Sequence, residues 1–160
     1  MNIVITVGMA DYKIGKTPNK LMTAGLGSCI GVCIFDLKLQ IAGMAHIMLP
    51  SSKEITKGSP MKYADSCIAL MLSEMKKNGV SNMRLQAKMA GGSQMFAFAG
   101  QTPLLKIGER NAEAVENELK KAGIPLLSYD VGGNFGRTIN FDIETGNLHI
   151  RTFKHGEKVI

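Results

Sequence analysis

Two apolar runs joined by a short polar connection constrain this chain most. Cys29 to Phe35 reads Cys-Ile-Gly-Val-Cys-Ile-Phe, and Gln40 to Leu49 forms a second apolar run that Pro50 stops. In extended chain Ile30, Val32 and Ile34 fall on one face, with Cys29, Gly31, Cys33 and Phe35 on the other. Asp36-Leu37-Lys38-Leu39 supplies a tight connection, so the two runs are predicted to pair as an antiparallel hairpin.

The rest of the chain organises around that hairpin. Residues 2–8 read as a strand, Asp11 to Lys20 as a polar loop, and Leu21 to Gly25 as a short extended piece. After the polar stretch 51–60, Ser59 is a good N-cap and Pro60 a good first helical residue. Ala64, Cys67, Ile68, Met71, Leu72 and Met75 then recur at helical spacing, and Asn78-Gly79 ends the helix. Met83 to Met89 alternates as a strand, and Gly91-Gly92-Ser93 is a turn or nest. A second helix runs near Glu109 to Ala122, with Ala112, Val115, Leu119 and Ala122 on one face, before Gly123. Leu126 to Val131 reads as a strand, and residues 137–143 and 147–154 as a hairpin. Two helices and seven or eight strands with mostly hairpin connections predict an α+β fold. Its helices pack on one side of a mainly antiparallel sheet.

Length and composition narrow the function. At 160 residues the chain is expected to be a single domain that buries its core without disulfides or a structural metal. No apolar run is long enough to span a bilayer, and Met1 to Val7 lacks the features of a signal peptide. Three cysteines, an odd number, fit a reducing cytoplasm better than a secreted scaffold. The net charge of +6 favours anionic partners, which include acidic proteins and nucleic acid. The densest clusters, Lys76-Lys77 and Lys120-Lys121, sit in the last turns of the predicted helices, where they oppose the helix dipole. Nucleic-acid binding is therefore not favoured.

Chemistry narrows to few side chains. His149, on an alternating strand, and His155, in the polar tail beyond residue 154, read as surface residues, whereas His46 lies inside the second apolar run. It is either a core imidazole bonded to a backbone carbonyl or a catalytic base. If Leu37 and Lys38 alone form the connection, Cys29 falls directly opposite His46, with Cβ atoms about 4.5–5.5 Å apart. A thiol and an imidazole at that separation can share a proton, and a neighbouring imidazole raises the thiolate fraction. Two glycines precede the cysteine in Gly25-Leu26-Gly27-Ser28-Cys29. Consecutive amides there, at Gly27, Ser28 and Cys29, could hold an oxyanion and leave room for a substrate. Cys33 and Cys67 are read as small buried hydrophobes. No metal or cofactor is expected: Cys29-x-x-x-Cys33 on a strand spans about 13 Å, and Gly25-x-Gly27 lacks the rest of a phosphate loop.

The residues also carry a resemblance. Thr23-x-Gly25-Leu26-Gly27-Ser28-Cys29 followed by Gly43-Met44-Ala45-His46-x-Met48-Leu49-Pro50 resembles the CheD family of chemoreceptor glutamine deamidases. Further matches are Lys62-Tyr63-Ala64-Asp65, Ala87-Lys88-x-x-Gly91-Gly92-x-x-Met95-Phe96, Ile107-Gly108-x-Arg110-Asn111 and Asp130-x-Gly132-Gly133-Asn134-x-Gly136-Arg137. The resemblance covers about residues 20 to 146. It implies a layered α/β/β sandwich similar to that of bacterial deamidating toxins. It implies a catalytic cysteine at Cys29, a histidine at His46 and a threonine at Thr23 that orients the imidazole. It also implies hydrolysis of receptor glutamine side chains to glutamate through a thioester. The partners implied are methyl-accepting chemotaxis receptors and the phosphatase CheC, which links the family to phosphorylated CheY. The alternative function is a mainly non-catalytic regulatory partner of CheC.

Overall fold

The computed structural model describes residues 2–53, 58–95 and 106–160. Of the sequence features above, Phe96 and part of the stretch 51–60 lie outside them. The described residues form ten strands and two α-helices: β1 Val4–Thr6, β2 Asp11–Lys16, β3 Lys20–Leu26, β4 Ile30–Asp36, β5 Ile41–Ile47, α1 Ala64–Lys77, β6 Gln86–Gly91, α2 Ile107–Lys121, β7 Leu126–Val131, β8 Arg137–Asp142, β9 Asn147–Thr152 and β10 Gly156–Val159. Two five-stranded sheets result. The central sheet has the order β2-β5-β4-β6-β7, and the outer sheet β1-β3-β8-β9-β10. Only β1–β3 and β6–β7 pair in parallel among the described strands.

The expected hairpin is the middle of the central sheet, and every residue of β4 and β5 is buried. Alternation explains why both faces are covered. Ile30, Val32, Ile34, Ala45 and Ile47 pack with Cys67, Ile68, Met71 and Met75 of α1 and Val115 and Leu119 of α2. Cys33, Phe35, Ala42 and Met44 pack with Leu21, Ile139, Phe141, Leu148 and Ile150 of the outer sheet. The layers therefore run helices, central sheet, outer sheet, an α+β sandwich of α/β/β type.

Four local expectations are corrected. Asp11–Lys16 is not a loop but strand β2, which pairs along β5 at the sheet edge. Its charged residues are those of an edge strand, which hide it from a search for apolar runs. The tail beyond residue 154 contains β10, an exposed edge strand paired with β9. Ser59 accepts from the Met61 N–H, but it caps a 3-10 turn at Pro60–Lys62, and α1 starts only at Ala64. Met83 and Arg84, the first two residues of the predicted strand Met83–Met89, belong to another 3-10 turn, Asn82–Arg84, so β6 begins at Gln86.

The most consequential correction is the hairpin register. Asp36 pairs with Ile41, so Leu37 to Gln40 make a four-residue connection instead of a two-residue one. The Asp36 carboxylate accepts from the Lys38 and Leu39 N–H groups at 2.9 and 3.1 Å and closes the longer turn. The ladder shifts by two residues, and His46 faces Gly31 rather than Cys29. A two-residue shift preserves which face a side chain occupies. Cys29, one residue beyond the ladder's end, thus stays on the same face as His46 and becomes its diagonal neighbour.

Candidate active site

Cys29 and His46 lie between the two sheets, near the end of the β4–β5 ladder. Cys29 is 8% exposed and His46 1%, so the thiol lies at the edge of the site and the ring inside it. Directly across from His46, Gly31 has no side chain, and a Cβ there would stand 2.5 Å from Ile139 Cδ1. The outer sheet therefore presses closely against this part of the central one.

Thr23 of β3 reaches across the gap from the outer sheet. Its hydroxyl is buried, 2.7 Å from the Val7 carbonyl oxygen and 2.8 Å from His46 Nδ1. Proton counting decides the roles. A carbonyl can only accept, so the single hydroxyl proton of Thr23 goes to Val7, and Nδ1 must donate to Thr23. The neutral imidazole then carries its lone pair on Nε2. That nitrogen is buried and has no hydrogen-bond partner among the described residues. An imidazole fixed in this tautomer can take a proton at Nε2 and return it.

Burial acts on both members of the pair. It pushes the Cys29 thiol above its ordinary range and the His46 imidazole below its own. Both shifts favour a neutral thiol beside a neutral imidazole. The expected rise in resting thiolate is therefore corrected, because desolvation opposes both charged forms. The arrangement suits a general base that removes the thiol proton as the sulfur attacks.

The turn that carries Cys29 is held by its carbonyls. The Ser93 N–H donates to Gly27 O at 2.9 Å, and the Gly92 N–H donates to Cys29 O at 2.9 Å. Between them, the Asn111 side-chain amide of α2 donates to Ser28 O at 3.0 Å. The Ser28 and Cys29 N–H groups donate to no acceptor among the described residues. The Gly27 N–H, by contrast, bonds to Gly25 O at 3.1 Å, which leaves Ser28 and Cys29 as the free pair. Gly25 adopts φ +70, as the glycine-rich approach predicts. Gly91 has no room for any side chain: a Cβ there would lie 2.2 Å from Cys29 O. The Gly91-Gly92-Ser93 turn thus clamps the cysteine loop.

Cys33 and Cys67 are fully buried in the two cores, and burial pushes the Cys67 thiol up to about 12. His149 and His155 are exposed. No group of three or more metal-ligating side chains occurs among the described residues. Sequence reasoning gave no role to Val7 or Asn111. Asn111 carried a signal, since it shares the buried stripe of α2 with Gly108, Val115 and Leu119, and a polar residue on such a stripe needs partners.

Residues 48–152 match the family model described as CheD chemotactic sensory transduction. Over the whole chain, and the whole of each relative, it is 60% identical to a "Probable chemoreceptor glutamine deamidase CheD" of Desulfitobacterium hafniense. It is 49% identical, again over the full length of both, to the "Chemoreceptor glutamine deamidase CheD" of Halalkalibacterium halodurans. The chain belongs to the CheD family. The family-model match begins at Met48, so Thr23, Cys29 and His46 lie outside it. The relatives align across those positions too, since the 52% identity to a CheD of Syntrophomonas wolfei also spans the entire chain. No helix among the described residues of this CheD chain is long and apolar enough to cross a membrane.

Proposed function

We propose that this chain is a cytoplasmic chemoreceptor glutamine deamidase with Cys29 as nucleophile, His46 as acid–base and Thr23 as the residue that orients the imidazole. The observation that carries the reading is the Val7–Thr23–His46 chain, which leaves the Nε2 lone pair free on the face shared with Cys29.

The reaction then follows in two halves. Nε2 removes the thiol proton as sulfur attacks the side-chain carboxamide carbon of glutamine. The Ser28 and Cys29 N–H groups receive the developing oxyanion, because the anchored carbonyls of Gly27 and Ser28 fix those amides, which have no acceptor among the described residues. The imidazolium returns its proton to the amide nitrogen, ammonia leaves, and a thioester remains on Cys29. Nε2 next deprotonates a water molecule, whose oxygen attacks the thioester carbon. Collapse expels the sulfur, which regains its proton, and the product is glutamate. During each half the Thr23 oxygen stabilises the positive ring through Nδ1–H.

The partners follow from the same reading. Receptor cytoplasmic segments are the substrate, and the net charge of +6 favours encounter with acidic helices. Binding to CheC, and through it an indirect link to phosphorylated CheY, is a second role of the same chain. Incubation with a receptor cytoplasmic fragment tests the enzymatic role. Ammonia release is expected from the wild type and from neither Cys29→Ala nor His46→Ala, with both variants folded. Release at the wild-type rate by either variant would reject the assignment.

A further inference from the structure

Asn111 ties together the segment that leads into β4 and the segment that leaves β5 with one amide group. It lies fully buried on α2, and its Nδ2 donates to Ser28 O at 3.0 Å and to Met48 O at 2.9 Å. Two carbonyl acceptors fix which end of the side-chain amide faces them. Ser28 immediately precedes the nucleophile, and Met48 stands just past His46 at the end of β5.

Peptide geometry makes the first contact consequential. The Ser28 carbonyl and the Cys29 N–H belong to one planar trans unit and point in opposite directions. Anchoring Ser28 O therefore aims the Cys29 N–H. In the same way, the Ser93 N–H on Gly27 O aims the Ser28 N–H. The Gly92 N–H on Cys29 O holds the next unit, which leads into β4. Of these three anchors two are backbone amides, and Asn111 is the one made by a side chain.

We infer that Asn111 is a positioning residue for the deamidation proposed above, one that aims the Cys29 N–H at the developing oxyanion through the Ser28 carbonyl. Its chemistry argues for a role beyond packing. The Asn111 Oδ1 atom is buried with no partner among the described residues, and the neighbouring buried positions of α2 are Gly108, Val115 and Leu119. An unpaired buried carbonyl costs stability, so packing alone would favour an apolar residue at this place. The two donor contacts explain why an amide is retained there.

The test separates an aimed N–H from general support of the fold. Deamidation needs an oxyanion site. Alkylation of Cys29 by iodoacetamide needs the sulfur nucleophile but forms no oxyanion. For Asn111→Ala, kcat on a receptor fragment is expected to fall about 10- to 100-fold, with KM within about twofold. Carbamidomethylation of Cys29, read by peptide mass, is expected to keep its wild-type rate within about twofold. If the alanine protein does not fold, Asn111→Ser, which keeps one donor in a smaller side chain, is expected to show the same split. A parallel loss of alkylation and deamidation would overturn the inference, because Asn111 would then support the thiol or the fold. Deamidation within about twofold of wild type would overturn it as well. A wild type that releases no ammonia would overturn the deamidase reading and this inference with it.

Discussion

The Thr23 hydroxyl joins the two sheets: it donates to Val7 O at 2.7 Å and lies 2.8 Å from His46 Nδ1. One proton on one oxygen settles the tautomer of the imidazole, and with it which ring nitrogen is free for chemistry. Thr23→Val removes the donor to Val7 and the acceptor for Nδ1 together. It is expected to lower the deamidation rate about 10- to 100-fold and to destabilise the protein by about 1–3 kcal/mol. Thr23→Ser keeps the hydroxyl and is expected to retain most activity. Ammonia release and thermal denaturation check both.

Stability should carry the signature of a buried neutral histidine. Burial holds the His46 pKa below the ordinary 6.5, so between those two values the unfolded chain binds the proton and the folded chain does not. Stability is therefore full above pH 6.5 and lost as pH falls from 6.5 through the depressed folded value. The carboxylates with resolved shifts, Asp65 and Asp130, are lowered from 3.8 and act in a more acidic window. As the pH falls below 6.5, denaturant midpoints of the wild type should drop more steeply than those of His46→Gln. Identical slopes in the two proteins would contradict a buried neutral ring.

Gly91 is expected to tolerate nothing larger. It sits at φ +120, and a Cβ would lie 2.2 Å from the Cys29 carbonyl oxygen, which is backbone and cannot rotate away. Gly91→Ala should destabilise the protein by about 1–3 kcal/mol through backbone strain and should displace the cysteine loop. Its deamidation rate should drop even at temperatures where circular dichroism shows a folded chain.

Asp36 sets the hairpin register on which the site depends. One carboxylate oxygen accepts from the Lys38 and Leu39 N–H groups, and the other lies 3.0 Å from Arg84 Nε. Asp36→Ala removes all three contacts from a buried position and should cost about 2–4 kcal/mol. Asp36→Asn keeps the turn acceptor and should cost less. Urea denaturation of the two variants measures the difference.

Much of the architecture was legible because apolar alternation and end signals are local. β4, β5, β7, α1 and α2 all follow from spacing, with ends marked by Pro50, Asn78-Gly79 and Gly123. β2 and β10 were not legible, since edge strands carry charge on their open sides. The register was missed because it depends on a side chain, Asp36, that caps the turn and lengthens it by two residues. At the site, Cys29 and His46 stood out as a thiol and an imidazole within paired strands. Val7 acts through its carbonyl, and sequence spacing does not disclose such a contact. Asn111 acts across 83 positions of sequence, a relation only the folded chain makes.

The most direct test follows solvent oxygen into the product. A receptor cytoplasmic fragment is incubated with the protein in water enriched in heavy oxygen, and its peptides are sequenced by mass spectrometry. Thioester hydrolysis predicts that specific internal glutamines become glutamates with one solvent oxygen in each new carboxylate, the peptide backbone intact, and no conversion by Cys29→Ala. Unconverted glutamines with the wild type, or equal conversion by Cys29→Ala, would contradict it.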